Sequence, residues 1–559
     1  MKKSLVALVL AALTAVAIHQ WRARRSYGSD FVAAVLAEVP ERSPERGRIL
    51  DRNGAPLAEN RRAFDVYVTP RLFTRQVRTR LIGLLHLDAD EVARLDRGAA
   101  LGAGVPDRPV RVLEDQGRKR AGLILRSRDE LKGAVEVHRD LRRHYPQRQL
   151  AAHLLGYVEP TERTGAYGIE RAFERWLKGR ARAGASGVAG DDVVLTLDLD
   201  LQKAAEKAVQ GHTAAAVVVV EVETGRILAM VSRPSFDPNA LSGTLAIGEL
   251  ERLKRDPSRP LIDRTLEETY PPASTFKMVT AVAGLESKMA SPDEEVVCTG
   301  ERSVGGRVLH DMDVHGAVHF VEALQRSCNI YFWTIGERVG IDRLARVARE
   351  FGFGSPSGLG LNGDVAGQVP DRAMLGAQAD ENLILTLNAA VGLGEVRATV
   401  VQLAMAYAAL ANGGRLYQPQ VVRRVESASG ESPDEREPVL RRTIDVSPAT
   451  LALIRQGMTK AVNSRGGTAF SARKGAVKMG GKTGTELRGR PVNDPSDAHA
   501  WFAGWAPDEQ PEIAVVVLVE RGGVGGLVAA PLAHDIVDAY FTHRQAAARR
   551  TAPRHHRGR

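Results

Sequence analysis

Residues 270–286 read YPPASTFKMVTAVAGLE. Pro271 and Pro272 cannot lie in a helix interior, whereas the chain from Ser274 onward is apolar and helix-favouring, so a helix is predicted to begin at or near Ser274. Lys277 then lies one turn on, on the same face as the serine. A helix N-terminus offers free backbone N–H groups and the positive end of the helix dipole, and both favour a developing oxyanion. A lysine beside a serine can take its proton only when neutral, and burial or neighbouring cations lower its pKa toward that state. Alone the pair is a weak signal: Ser471 and Lys474 repeat the spacing in a basic stretch with no helix start.

The constellation is stronger. Ser327-Cys328-Asn329 begins 53 positions after Ser274, and Lys482-Thr483-Gly484, followed by Thr485, begins 155 positions after Ser327. S-x-x-K, then S-x-N, then K-T-G, in that order, marks serine β-lactamases and penicillin-binding proteins.

Around these motifs the pattern is that of a mixed domain. VVLTLDLDLQKAAEKAV, residues 193–209, reads as a strand then a helix, and AAAVVVVEVETGRILAMVSRP as a hairpin of two buried strands turning at Glu223-Thr224-Gly225. TVVQLAMAYAALANGG reads as a helix that Thr399 can cap and Gly413-Gly414 can end. AWFAGWA and EIAVVVLVE are two further strands before a closing helix, APLAHDIVDAYF. One antiparallel sheet with helices packed on it follows, an α/β (α+β) domain over 191–543 rather than a βαβ repeat. Upstream, Asn53-Gly54 marks a tight turn, RRAFDVYVTP alternates like a strand, and residues 75–145 are basic with helical patches. RARAGASGVAGDD, residues 180–192, has the small-residue composition of a linker or long loop, and closes an accessory domain over 22–190.

The chain has 559 residues and a net charge of +10, but six arginines and no acid lie in residues 544–559, leaving +4 elsewhere. That block reads as a solvated, disordered tail, and the remainder is no footprint for nucleic acid. At the other end two lysines precede an apolar run over residues 4–18. Fifteen residues is the upper end for a signal-peptide core and short of the roughly 20 that span a bilayer. Either reading exports everything after Trp21, and an uncleaved anchor over 1–21 is favoured.

The chain resembles the class B penicillin-binding proteins, closest to the elongation-type penicillin-binding protein 2. The resemblance rests on RGRILDRNGAPLAEN, HYPQRQLAAHLLGYV, YGIERAFERWLKG, VETGRILAMVSRPSFDPN, the three motifs and AWFAGWAP, and covers nearly the whole length. It implies a penicillin-binding/β-lactamase-like transpeptidase domain on an elongated N-terminal pedestal of the dimerisation type, held by one anchor in the bacterial inner membrane with the catalytic domain outside. The activity implied is D,D-transpeptidation of peptidoglycan stem peptides, with β-lactams as inhibitors and no catalytic cofactor. The partners implied are a membrane-embedded glycan polymerase and other elongation-complex proteins. Carried over residue by residue, Ser274 attacks the penultimate D-alanine carbonyl and Lys277 takes its proton. Ser327 relays a proton to the leaving D-alanine, and Asn329 holds the substrate amide and orients Lys277. The N–H groups of Ser274 and Thr485 form the oxyanion hole, and Lys482, Thr483, Gly484 and Thr485 bind the terminal carboxylate. Three departures stand out: Ala273 where glycine is common, VGLGEVRATVVQ in place of G-Q-G and T-P-x-Q signatures, and Glu486 where alanine is common.

A β-lactamase would not need a pedestal, and a β-lactam receptor would need a cytoplasmic domain that three residues before the apolar run cannot supply. A D,D-carboxypeptidase or an inactive scaffold of the wall-synthesis complex are the remaining alternatives. The two cysteines pose a separate question. In an exported protein Cys298 and Cys328 most simply form a disulfide. Some relatives of penicillin-binding protein 2 instead carry a structural zinc, and the corresponding ligands here are Cys298, Asp311, His315 and Cys328, with His310 and Asp313 as rivals. Two thiolates, an imidazole and a carboxylate suit a closed tetrahedral zinc site.

Overall fold

The computed structural model describes residues 44–551 except 160–162, 183–184, 243–245, 431–432 and 488–496. The apolar run at 4–18 and the end of the basic segment, 552–559, lie outside the described residues, and among those described no helix is long and apolar enough to cross a membrane. The chain forms two compact units. One holds residues 59–144 and 178–190 with the chain up to Gly47, and the other holds 48–58, 145–177 and 191 onward.

In the first unit, residues 59–68 of the strand Pro56–Val68 pair antiparallel with Val135–His144 and Val110–Leu113. Helices Arg75–Leu85, Ala89–Leu101 and Gly117–Arg126 cover them, and Val66, Val68, Leu81, Leu95 and Ile124 share one small core. Residues 180–192, expected as a loop, instead form two short antiparallel strands, Arg180–Arg182 and Ala185–Val188. Their small residues gave no alternating apolar pattern to read.

The second unit is built on five antiparallel strands: β1 (Ala215–Glu221), β2 (Ile227–Arg233), β3 (Gly480–Glu486), β4 (His499–Ala506) and β5 (Ile513–Val519). Their order is β3-β4-β5-β1-β2, so the Lys-Thr-Gly strand is an edge. Both faces are covered, which is why β1 and β5 are continuous apolar runs rather than alternating ones. Ala215, Val217 and Val219 face α1 (Leu199–Val209) and α7 (Ala529–Thr551), whereas Ala216, Val218 and Val220 face the larger core. That core holds α2 (Lys277–Glu286), α3 (Phe320–Arg326), α4 (Asn329–Val339), α5 (Val400–Ala411) and α6 (Pro448–Asn463). The cap on α5 is as read: Thr399 Oγ1 accepts Gln402 N while Gln402 Oε1 accepts Thr399 N. Helix α7 runs through Thr551, so residues 544–551, read as disordered tail, are helical. Ile49–Leu50 pairs parallel with Asp192–Leu195, which joins residues 48–58 to this unit rather than to the accessory one.

Strands β3 and β4 approach closely at glycines. A Cβ at Gly480 would sit 2.4 Å from the Trp505 ring, and one at Gly504 would sit 2.4 Å from the Gly480 carbonyl. Gly480→Val is therefore expected to lower unfolding stability by about 1–3 kcal/mol through overpacking, read by denaturant titration of the variant against the parent chain.

Candidate active site

Between Tyr270 and Gly284 only Ser274 is not buried. It lies in a 3-10 turn, Ala273–Phe276, and the α-helix proper begins at Lys277. The predicted helix start is thus one tight turn followed by α2, with the serine at its head. Ala273, just before it, has φ +49°, a left-handed conformation that costs an L-residue about 1–2 kcal/mol. The surroundings enforce it. Ala273 N donates to Gly392 O at 2.9 Å, Tyr270 pairs with Ala398, and Tyr407 Oη donates to the Thr275 carbonyl at 2.9 Å. Gly392, at φ +73°, comes so near that a Cβ there would lie 2.3 Å from Ala273 O. The Gly392-Leu393-Gly394 segment, noticed in the sequence only as a departure, is the brace of the nucleophile turn.

Lys277 is fully buried, and its Nζ donates to Ser327 O and Asn329 Oδ1 at 2.7 Å and to Ser327 Oγ at 3.2 Å. Burial brings its pKa down to about 8, against the opposing pull of Asp311 and the two cysteines. Ser327 is the left-handed cap of α3 at φ +62°, and Cys328 caps α4, so the S-x-N motif is the junction of two helices. This geometry sends the Cys328 side chain into the core while Ser327 and Asn329 stay half-buried at the cleft.

The third motif comes up against the first. Gly484 leaves room for this: a Cβ there would meet Pro272 O at 3.1 Å and Thr275 Cγ2 at 3.3 Å. Lys482 is fully buried, its Nζ 3.1 Å from the Thr483 carbonyl, and burial together with the nearby Lys277 holds its pKa well below the ordinary lysine value. Ser274, Lys277, Ser327, Asn329 and Lys482 thus belong to one neighbourhood in which two lysines share a low-dielectric space. The rival Ser471 is exposed, and Lys474 is paired with Asp535 at 3.1 Å.

Behind the S-x-N motif lies a second cluster. Cys298, Asp311, His315 and Cys328 bring one ligand atom each to within 4.8 Å of one another. Cys298 Sγ is 3.3 Å from both Asp311 Oδ2 and His315 Nδ1, and His315 Nδ1 is 3.6 Å from Asp311 Oδ2. Both cysteines are buried and unbridged, which is not the disulfide alternative. His310 and Asp313 are exposed and outside the group. One function of Asp311 was not read from the sequence: its Oδ2 also accepts Asn329 N at 2.7 Å and Ile330 N at 3.2 Å, holding the first turn of α4. A carboxylate 18 positions away carries no local signal for such a contact.

Replacing Ala273 with glycine relieves the left-handed strain but frees the unfolded chain, and the balance of the two favours the folded state by about 0.5–1 kcal/mol. Ala273→Gly is accordingly expected to raise the thermal midpoint, and an unchanged or lower midpoint would mean the turn is not strained.

Residues 215–538 match the penicillin-binding protein transpeptidase domain, and residues 41–196 match the penicillin-binding protein dimerisation domain. The chain is 29% identical to the peptidoglycan D,D-transpeptidase MrdA of Haemophilus influenzae, across 90% of this chain and 85% of the relative. The crystal structure of Pseudomonas aeruginosa PBP2 superposes with a TM-score of 0.66 at 28% identity, covering 89% of this chain and 96% of that one. A chain from a structure described as the coordination of polymerization and crosslinking by a peptidoglycan synthase complex superposes with a TM-score of 0.69 at 26% identity, covering 96% and 98%.

Proposed function

The chain belongs to the penicillin-binding protein transpeptidase family, and from that premise we infer that it is a peptidoglycan D,D-transpeptidase, a serine acyl-transferase acting on D-Ala-D-Ala stem peptides during wall elongation. The observation that carries this reading is the Lys277 amine. It is buried, its pKa is lowered by that burial to about 8, it lies one turn from the partly exposed Ser274, and it is hydrogen-bonded to Ser327 and Asn329.

In the proposed reaction Ser274 Oγ attacks the penultimate D-alanine carbonyl and Lys277 Nζ accepts its proton. The oxyanion is held by the N–H groups of Ser274 and Thr485, the kind of interaction that usually contributes most to acyl transfer. The C–N bond to the terminal D-alanine breaks as Ser327 Oγ protonates the departing amine, recovering a proton from Lys277 across the 3.2 Å contact. An amine of a second stem then attacks the acyl-enzyme, which releases Ser274. Lys482, with Thr483 and Thr485, binds the terminal carboxylate. Burial lowers the Lys482 pKa, so an arriving carboxylate would both pair with it and favour its charged form.

We further propose that Cys298, Asp311, His315 and Cys328 hold one structural zinc. A tetrahedral ion with bonds of about 2.0–2.3 Å sets its ligand atoms roughly 3.3–3.8 Å apart, which the 3.3 and 3.6 Å separations among Cys298, Asp311 and His315 match, with Cys328 completing a group that lies within 4.8 Å. Burial pushes the Cys328 thiol up, so a thiolate there calls for a cation. Four protein ligands leave no open position, and the ion would stiffen the backbone behind Ser327 and Asn329. For location, the apolar run at 4–18 supports a single-pass anchor in the inner membrane with the catalytic domain outside. As a partner we propose a membrane-embedded glycan polymerase, on the strength of the likeness to a synthase complex that polymerizes and crosslinks.

Three outcomes test these readings. Peptide mapping after penicillin treatment is expected to find the adduct on Ser274 and none in Ser274→Ala; an adduct on Ser471 would overturn the assignment. A lysine lowered to about 8 is a base only above that pH, so acylation should rise with pH to a plateau past about 8 and be abolished in Lys277→Ala. A flat profile between pH 6 and 9 would remove Lys277 as the base. Protein purified without chelator is expected to carry one zinc per chain by elemental analysis, with Cys298→Ser losing the metal and acylating more slowly. Metal-free protein that gains two daltons on reduction would favour the disulfide.

A further inference from the structure

Tyr270 precedes the nucleophile turn, and only Pro271, Pro272 and Ala273 separate it from Ser274. A proline ring locks φ near −65°, so the two prolines cannot absorb a displacement of Tyr270 by rotating about that bond. Where Tyr270 goes, the serine turn follows. The Tyr270 backbone pairs with Ala398 in both directions at 2.9 Å. Its ring is buried and stands edge-on to two rings of β4, His499 at 5.6 Å and Trp501 at 6.0 Å.

The side chain ends in one hydrogen bond among the described residues. Tyr270 Oη donates to Glu520 Oε1 at 2.8 Å, just past the end of β5. The same oxygen accepts Arg264 Nε at 2.7 Å, and Arg264 also donates to the carbonyls of Ser258 at 3.0 Å and Arg259 at 3.2 Å. Arg264 is buried, and its backbone N–H donates to Ser232 Oγ, on β2, at 2.9 Å. The acceptor of the tyrosine proton is thus fixed to the sheet at β5 and, through Arg264, at β2. Burial, and then the Glu520 carboxylate, push the Tyr270 hydroxyl well above its ordinary pKa, so it stays a donor. A phenylalanine would bury the same ring with no hydroxyl to desolvate, so the bond to Glu520 is what a tyrosine adds here. The reaction proposed above uses none of Tyr270, Arg264 and Glu520.

We propose that Tyr270 is a positioning residue for acylation: its hydroxyl, anchored on Glu520, sets through the two prolines the place of Ser274 relative to Lys277 and the oxyanion amides. The proposal rests on the transpeptidase reading and gives the cluster behind the serine a share in the rate of acylation rather than in substrate binding. A misplacement of about 1 Å at an attacking atom costs on the order of a hundredfold in rate.

The test uses the full chain and benzylpenicillin over a range of concentrations, mixed rapidly, so that the dissociation constant of the first complex and the acylation rate constant are read separately. Tyr270→Phe is expected to lower the rate constant by roughly tenfold or more. The dissociation constant and the number of reactive sites per chain should stay as in the parent. The rise of the rate with pH should keep its midpoint near about 8, since the base is untouched. Glu520→Ala should show a loss of the same kind, and Tyr270→Phe should cost nothing further in that background. An unchanged rate constant, a loss carried by the dissociation constant or by fewer reactive sites, a shifted midpoint, or a further loss in the double variant would each overturn the proposal. Glu520→Ala leaves the buried Arg264 without its carboxylate. If thermal unfolding shows that this variant does not fold, Tyr270→Phe decides alone on the rate constant, the dissociation constant and the midpoint. Failure of the unsubstituted chain to be acylated would remove the transpeptidase reading and the proposal with it, a result distinct from all of these.

Discussion

Lys277 Nζ sits where the nucleophile turn meets the junction of α3 and α4, donating to the Ser327 carbonyl and to Asn329 Oδ1 at 2.7 Å each. Its chemistry is a balance of two opposed forces. Burial favours the neutral amine, while neutral acceptors and the Asp311 carboxylate behind them favour the ammonium. A base for a serine hydroxyl needs both, since it must be free of its proton at rest and able to keep it once transferred. The position of Asp311 is therefore tied to the charge on Lys277. The same oxygen that accepts the Asn329 and Ile330 amides sets the field felt by the amine.

Close backbone approach is the second constraint. Gly392 under Ala273, Gly484 against Pro272 and Gly525 against Gly484 bring four separate chain segments to within contact at the serine. Ala273 and Ser327, both in left-handed backbone, are the residues where this crowding is borne by side-chain-bearing positions. Local strain of this kind is characteristic of sites where surrounding structure over-determines a functional geometry.

The order of motifs and the apolar runs made much of this legible. Ser274, Lys277, Ser327, Asn329 and the Lys-Thr-Gly strand follow from spacing and helix-start chemistry, and the central hairpin from its continuous valines. Thr399 was readable because a capping box is local. What could not be read depends on contacts across the chain. Asp311 holds amides 18 positions later, and Gly525 reaches a hydroxyl 40 positions earlier. The strands at 180–188 escaped because small residues bury little and leave no pattern, and the helical continuation to Thr551 because charge density says little about helix ends.

Because β3 is the outermost strand of its sheet, half of its main-chain donors and acceptors pair with no strand among the described residues. Proteins ordinarily blunt such an edge with proline, a bulge or a covering loop, since it templates unwanted strand pairing. A cleft that receives an extended peptide uses such an edge instead. Recognition by strand addition reads the backbone of the incoming chain and is tolerant of its side chains, so a stem peptide docking here would be selected by its extended shape and its charged end. An edge read in this way would also accept backbone-mimicking ligands that contain no reactive ring at all.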